Sequence, residues 1–142
     1  QGEVVAWADT LWVYMDTVRM RPCKLEKDVV DAYTMEPKLD MEYLPRKIAL
    51  PDTEPQVYED FPVLKCYIDM NEHVNNARYL DITDEFVENE SAVKRIRVEY
   101  KNPLKRGKAI KAHVYTDEGR KFVELCDENN KPYCITEYDY RS

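Results

Sequence analysis

The chain has 142 residues, a formal net charge of -7, 44% apolar and 35% charged residues. That length is enough for one domain with a real core, or one domain plus part of another. The acidic balance argues against binding nucleic acid by charge alone, which needs a basic footprint, and eleven Tyr beside three Gly argue against a disordered chain.

Residues 3–15 are rich in β-branched and aromatic side chains and predict one long strand. Because this pattern starts almost at Gln1, we expect a fragment or a cut chain. Asp16 to Arg19 predicts a turn, Met20 to Leu25 a shorter strand pairing back, and Glu26 to Tyr33 a short helix with Val29, Val30 and Tyr33 at helical spacing. Pro37, Pro45, Pro51 and Pro55 then mark an extended connector, because proline removes backbone donors and fixes φ. This sets the expected organisation: 1–35 as an incomplete first piece, 36–56 as linker and 57–142 as a second module.

Val57 to Ile68 reads as a strand, with a break near Phe61-Pro62. Val74 to Val87 carries apolar residues at 74, 77, 80, 82, 86 and 87, with Tyr79 on the same broad face, and predicts an amphipathic helix whose acidic side is solvated. Strands follow over 93–100, 109–116, 121–126 and 133–140, separated by turn signals at Lys105-Arg106-Gly107 and over 127–132. In the first of these, Ile96, Val98 and Tyr100 share one face. One helix followed by antiparallel strands makes the second module α+β.

Cys23, Cys66, Cys126 and Cys134 form no CxxC pair, and their strand-like surroundings predict reduced, mostly packed thiols in a cytoplasmic protein. No apolar run approaches the roughly 18 residues of a membrane span, and no signal peptide is read at the start, so no membrane association is expected. Asn89-Glu90-Ser91 is read as a chance match to a glycosylation acceptor.

Chemistry concentrates between the fourth predicted element and the helix. Asp69, Asn71 and His73 alternate, so on an extended chain their side chains project to one side. An imidazole takes a proton from water near neutral pH, a carboxylate orients it, and an amide holds water or substrate oxygen. The N–H groups of the following helix would favour a developing oxyanion. Water attack on an acyl carbonyl would use all of these parts, but Asp and Asn are equally suited to a turn and an N-cap, and the residues leave both readings open. His113 is the other histidine, without HxxxH or HExxH spacing, so neither metal nor cofactor is expected. Lys94 to Lys111 holds eight basic residues and one acidic, either a docking patch for an acidic partner or a solvated edge guarded by lysines.

The run Asp69-Met70-Asn71-Glu72-His73-Val74-Asn75-Asn76 with Arg78-Tyr79 resembles the signature of the acyl-acyl carrier protein thioesterases of plants and bacteria. Glu36-Pro37-Lys38-Leu39-Asp40-Met41-Glu42-Tyr43 and Pro45-Arg46-Lys47-Ile48 resemble the linker of the bacterial members, and the Trp12 segment resembles the end of their first module. The resemblance runs from near the N-terminus to about residue 115. It implies the hot-dog fold, an antiparallel sheet wrapped around one long helix, here preceded by extra N-terminal strands from a truncated first hot-dog module. It also implies hydrolysis of acyl-acyl carrier protein, with Asp69, Asn71 and His73 on catalytic positions, acyl-loaded carrier protein as partner and no cofactor. A homodimer is expected to replace the missing module.

One position departs from the family pattern. The catalytic acid there follows a Glu-Tyr pair on the next strand, whereas Glu99-Tyr100 leads here into Lys101-Asn102-Pro103-Leu104, with Pro103 at the expected glutamate. Glu99 shares its strand parity but comes four residues early. Two alternatives follow: a non-catalytic module that binds acyl carriers, and a dimeric coenzyme A-type thioesterase, since HVNN-x-x-Y occurs in that class too.

Overall fold

The computed structural model describes residues 2–141; Gln1 and Ser142, the outer limits of the two expected domains, lie outside the described residues. The chain forms two compact units, one up to Leu44 and one from Pro45 onward.

The first unit has little regular structure. Strand β1 (Met15–Asp16) pairs antiparallel with β2 (Arg21–Pro22), and the Asp16 carboxylate closes the turn by accepting the Val18 and Arg19 N–H groups, both at 2.9 Å. Helix α1 spans Lys27–Asp31. The long strand predicted over 3–15 is not formed, and β1 is its last remnant. Strand propensity measures fit to a half-buried, hydrogen-bonded surface. Within this unit the pairing found runs through residues 14–16 and 21–23, leaving Val5 95% and Trp12 84% exposed.

The second unit is a five-stranded antiparallel sheet with one helix on its inner face. The strands are β3 (Gln56–Pro62), β4 (Arg95–Tyr100), β5 (Ala109–Asp117), β6 (Arg120–Cys126) and β7 (Pro132–Asp139), in the order β3-β5-β6-β7-β4. Helix α2 (Asn76–Asp84) has nine residues, shorter at both ends than the pattern over 74–87 predicted. Val74 is held in a short bridge before it, and Phe86 and Val87 close a turn after it. Strand β3 stops at Pro62, where the ring removes a donor, and Lys65–Tyr67 forms a 3-10 turn instead of continuing to Ile68.

Alternation along the strands builds the core. Ile110, Ala112, Val114, Val123, Leu125, Cys134 and Tyr138 face Val74, Tyr79 and Ile82, all buried. This is the arrangement that the hot-dog expectation requires. The buried Tyr138 hydroxyl donates to Asp84 Oδ1 at 2.5 Å and shares a hydrogen bond with Thr83 Oγ1 at 2.7 Å, tying the end of α2 to β7. Asp84 therefore departs from the solvated acidic face expected of the helix. Gly119, at φ 77°, follows Glu118 at φ 42° in the tight β5–β6 turn, a left-handed pair that a two-residue hairpin favours.

The outer face carries a strap. Arg97, ion-paired with the buried Glu137, also donates through Nη2 to the Pro45 carbonyl at 2.5 Å, while Ile48 N–H donates to Glu99 Oε2 at 3.0 Å. Ile48 packs with Phe122 and Ile135. Residues 45–50 of the proline-rich connector, the part that belongs to this unit, thus lie against the sheet. Among the described residues, no helix is long and apolar enough to cross a membrane.

At the end of β7, Arg141 donates to Asp139 through Nε and Nη2, both at 2.8 Å, and the guanidinium pushes the carboxyl from its ordinary 3.8 down to about 2. A depressed folded-state value contributes stability that is complete above 3.8 and lost as pH falls through about 2. Asp139→Asn is expected to flatten the dependence of Tm on pH between those values, which thermal melts in acid will read.

Candidate active site

Residues 69–73 form a turn and not an extended run. Asp69 N–H donates to the His73 carbonyl at 2.8 Å and Glu72 N–H to the Asp69 carbonyl at 3.1 Å, with Glu72 at φ 62°. Asp69 Oδ1 accepts the backbone N–H groups of Asn71 at 2.8 Å and His73 at 3.3 Å. The expectation of three side chains on one face of a strand is thereby corrected: a short Asp side chain captures nearby N–H groups more readily than it leaves them to a ladder. The Asn71 amide stays beside the same carboxylate, 3.5 Å from Oδ2.

The turn stabilises the charged form of the carboxylate. The Asn71 N–H holds the Asp69 carboxyl below its ordinary 3.8 against the opposing effect of burial, and the His73 N–H and Asn71 amide add to it. Asp69 is therefore ionised near neutral pH. The His73 imidazole accepts or donates no side-chain hydrogen bond among the described residues, and its backbone N–H is what reaches Asp69.

Helix α2 starts directly after this turn. Asn75 is its N-cap, its side chain accepting from Ala77 N–H at 3.0 Å, so capping and the turn are both present. A hydrogen-bonded seam fixes the helix entry: Val74 N–H donates to the Leu104 carbonyl at 2.8 Å, Asn75 N–H to the Tyr67 carbonyl at 2.8 Å, and Leu104 N–H to the Tyr79 hydroxyl at 3.0 Å. His73 bridges Lys105 across the same seam. Tyr100 donates from its hydroxyl to the Asn76 carbonyl at 2.9 Å, and its ring packs edge-on against Tyr79 at 5.5 Å. No sequence signal marked the bond between Leu104 and Tyr79, which spans 25 positions.

Other candidates lie elsewhere. Glu99 stands on the outer face of β4: burial works against its charge, yet the Ile48 N–H and the Lys101 ammonium at 2.9 Å hold its carboxyl below the ordinary value. It serves the strap. Pro103 lies one residue before the Leu104 carbonyl that holds Val74, so the segment expected to carry the family's acid runs beside His73 without one. Cys66, expected in an apolar strand, is exposed in the 3-10 turn before the site, as Cys23 is exposed in the first unit, whereas Cys126 and Cys134 are buried. His113 binds Glu124 Oε2 through Nδ1 at 3.2 Å, on the sheet face away from α2. A cleft of about 780 Å³ opens between Glu85–Glu88, Tyr58, Phe61 and Val114, at the far end of α2 from His73.

Residues 51–140 match the family described as Acyl-ACP thioesterase C-terminal domain. The chain belongs to that family. Its fold is similar to that of a 12:0-ACP thioesterase from Umbellularia californica, at 20% identity and a TM-score of 0.66 over 89% of this chain and 52% of that one. It is also similar to an acyl-ACP thioesterase from Bacteroides thetaiotaomicron, at 17% identity and a TM-score of 0.70 over 88% of this chain and 52% of that one. The chain spans about half the length of these two proteins. No curated protein matches it in sequence. Family membership and the sheet around α2 together establish the hot-dog fold of an acyl-ACP thioesterase C-terminal domain.

Proposed function

We propose that the protein containing this domain hydrolyses acyl-acyl carrier protein thioesters to free fatty acid and carrier protein, the step that terminates chain growth in fatty acid biosynthesis. The observation that carries this reading is the ionised Asp69 carboxylate, tied through the turn to His73 at the entrance to α2. In the proposed reaction, His73 takes a proton from water as the water oxygen attacks the acyl carbonyl. Asp69 steadies the imidazole and its charge, Asn71 positions water or the carbonyl oxygen, and the N-terminal end of α2 favours the oxyanion. The thiolate then leaves and accepts the proton.

In this reading, residues 1–35 are the closing strands and short helix of a first hot-dog module, 36–56 the linker and 57–142 the second module. Support comes from the coverage of about half of each structure named above and from the exposed Trp7 and Trp12. The protein acts in the cytoplasm with its four cysteines free. Edge strand β4, with Ile96 48% and Tyr100 45% exposed, offers the face for a homodimer.

The carrier-docking surface in this proposal is the loop that crosses the seam. Of the eight cations in the basic stretch, Arg97 pairs with Glu137, Lys101 with Glu99 and Lys111 with Glu59. Lys105, which bridges His73, and the following Arg106 and Lys108 are exposed and have no ion pair among the described residues. They suit an acidic carrier and the phosphate of its pantetheine arm. Reversing Lys105 and Arg106 to Glu is expected to raise KM for acyl carrier protein roughly tenfold at low salt, with less effect on kcat, and the difference should shrink as salt screens it.

Pro103 at the expected acid favours a second reading, a module that binds acyl carriers without turnover. Fatty acid release from acyl-acyl carrier protein and acyl-coenzyme A, measured with carrier binding, separates the readings. Release from the carrier substrate supports the hydrolase, binding without release supports the module, and preference for the coenzyme A ester supports a dimeric thioesterase of that class.

A further inference from the structure

We propose that Tyr79 is a positioning residue whose phenol oxygen holds the Leu104 amide and, through Leu104, sets His73 against the N-terminus of α2. The inference rests on the hydrolytic reading of His73 given above.

The geometry forms a closed loop of contacts. His73 is fixed on one side by the Asp69 turn, through His73 N–H to Asp69 Oδ1 at 3.3 Å and Asp69 N–H to the His73 carbonyl at 2.8 Å. On the other side, the adjoining Val74 N–H is held by the Leu104 carbonyl at 2.8 Å. The Leu104 side chain is fully buried, and its N–H, following Pro103, has left the strand ladder and ends on Tyr79 Oη at 3.0 Å. Tyr79 stands one turn into α2, on the helix whose N-terminus faces the reaction. The imidazole and the helix end that would polarise the carbonyl are therefore linked through Tyr79, Leu104 and Val74, independently of the main chain between them.

A base that activates water and a helix end that polarises the same carbonyl need a fixed mutual geometry, and supporting hydrogen bonds supply it. Tyr79 does not move protons itself. It is 3% exposed, and burial pushes its phenol up to about 12 even though the Leu104 N–H works in the opposite direction, so it stays neutral through the working pH range. Tyr100 provides a control, because its hydroxyl donates to the Asn76 carbonyl at the same helix end, whereas the Leu104 N–H ends on Tyr79.

The test uses the full-length protein with Tyr79→Phe and Tyr100→Phe, both of which keep the ring that packs. Amide hydrogen exchange at Val74 and Leu104 is measured with kcat and KM, and with exchange in β6 and β7 as a monitor of global opening. Tyr79→Phe should speed exchange at both seam amides about tenfold and lower kcat per folded molecule by a similar factor with KM nearly unchanged. Tyr100→Phe should leave seam exchange at the wild-type rate. Unchanged Val74 exchange, or unchanged kcat, in Tyr79→Phe overturns the proposal, as does faster exchange in the seam only in step with β6 and β7. Failure of the hydrolytic reading shows separately, as His73→Ala hydrolysing substrate at the wild-type rate, and the exchange at Val74 decides the linkage in either case.

Discussion

On the proposed hydrolase reading, His73→Ala is expected to lower kcat for acyl-acyl carrier protein hydrolysis by about 100- to 10,000-fold, the range for loss of a general base, and to leave carrier binding near the wild-type level. The expectation follows from where the imidazole stands. It lies between a carboxylate already committed to backbone N–H groups and the start of α2, and no other imidazole is on that side of the sheet among the described residues. Because the backbone of His73, not its ring, makes the turn and seam bonds, the alanine variant should fold with an unaltered Tm. Steady-state hydrolysis with a thermal melt checks both statements, and undiminished release of fatty acid would remove His73 from the mechanism.

Asp69 separates turn from chemistry when it is substituted in two ways. Asp69→Asn keeps an oxygen to accept the Asn71 and His73 N–H groups but loses the negative charge. It should retain a near-native Tm and lose about 100-fold or more in kcat, because a neutral amide cannot steady an imidazolium. Asp69→Ala removes the acceptor too and should lower Tm as well as kcat. Equal activity of Asp69→Asn and wild type would leave Asp69 with the turn alone. Turn and site are compatible roles here: the N–H groups that shape the loop also stabilise the ionised carboxylate.

Much of the second module was legible because its signals are local. Strands β4 to β7 follow their apolar alternation to within a few residues, and the turn at 127–131 forms around Asp127, which accepts the Asn129 and Lys131 N–H groups at 2.9 Å. The same reasoning failed for residues 3–15, whose composition is strand-like but whose hydrogen bonds need a neighbouring edge that sequence cannot supply. It also extended the helix beyond both ends, since apolar spacing continues through Val74 and Val87 where the backbone has already turned into the seam and the closing turn.

By itself, the sequence determined the α+β module, the place of the Asp69–His73 cluster ahead of a helix and the family to which the chain belongs, because each is written in neighbouring residues. Only the tertiary structure decided the arrangement of that cluster. The turn replaced an extended face, Glu99 went to the strap, and Leu104 became the link between Tyr79 and Val74. The turn is closed by Asp69 taking N–H groups two and four positions away in place of an extended pairing, whereas the other two outcomes depend on which N–H meets which oxygen across 25 or more positions, a pairing set by how the chain closes around the sheet.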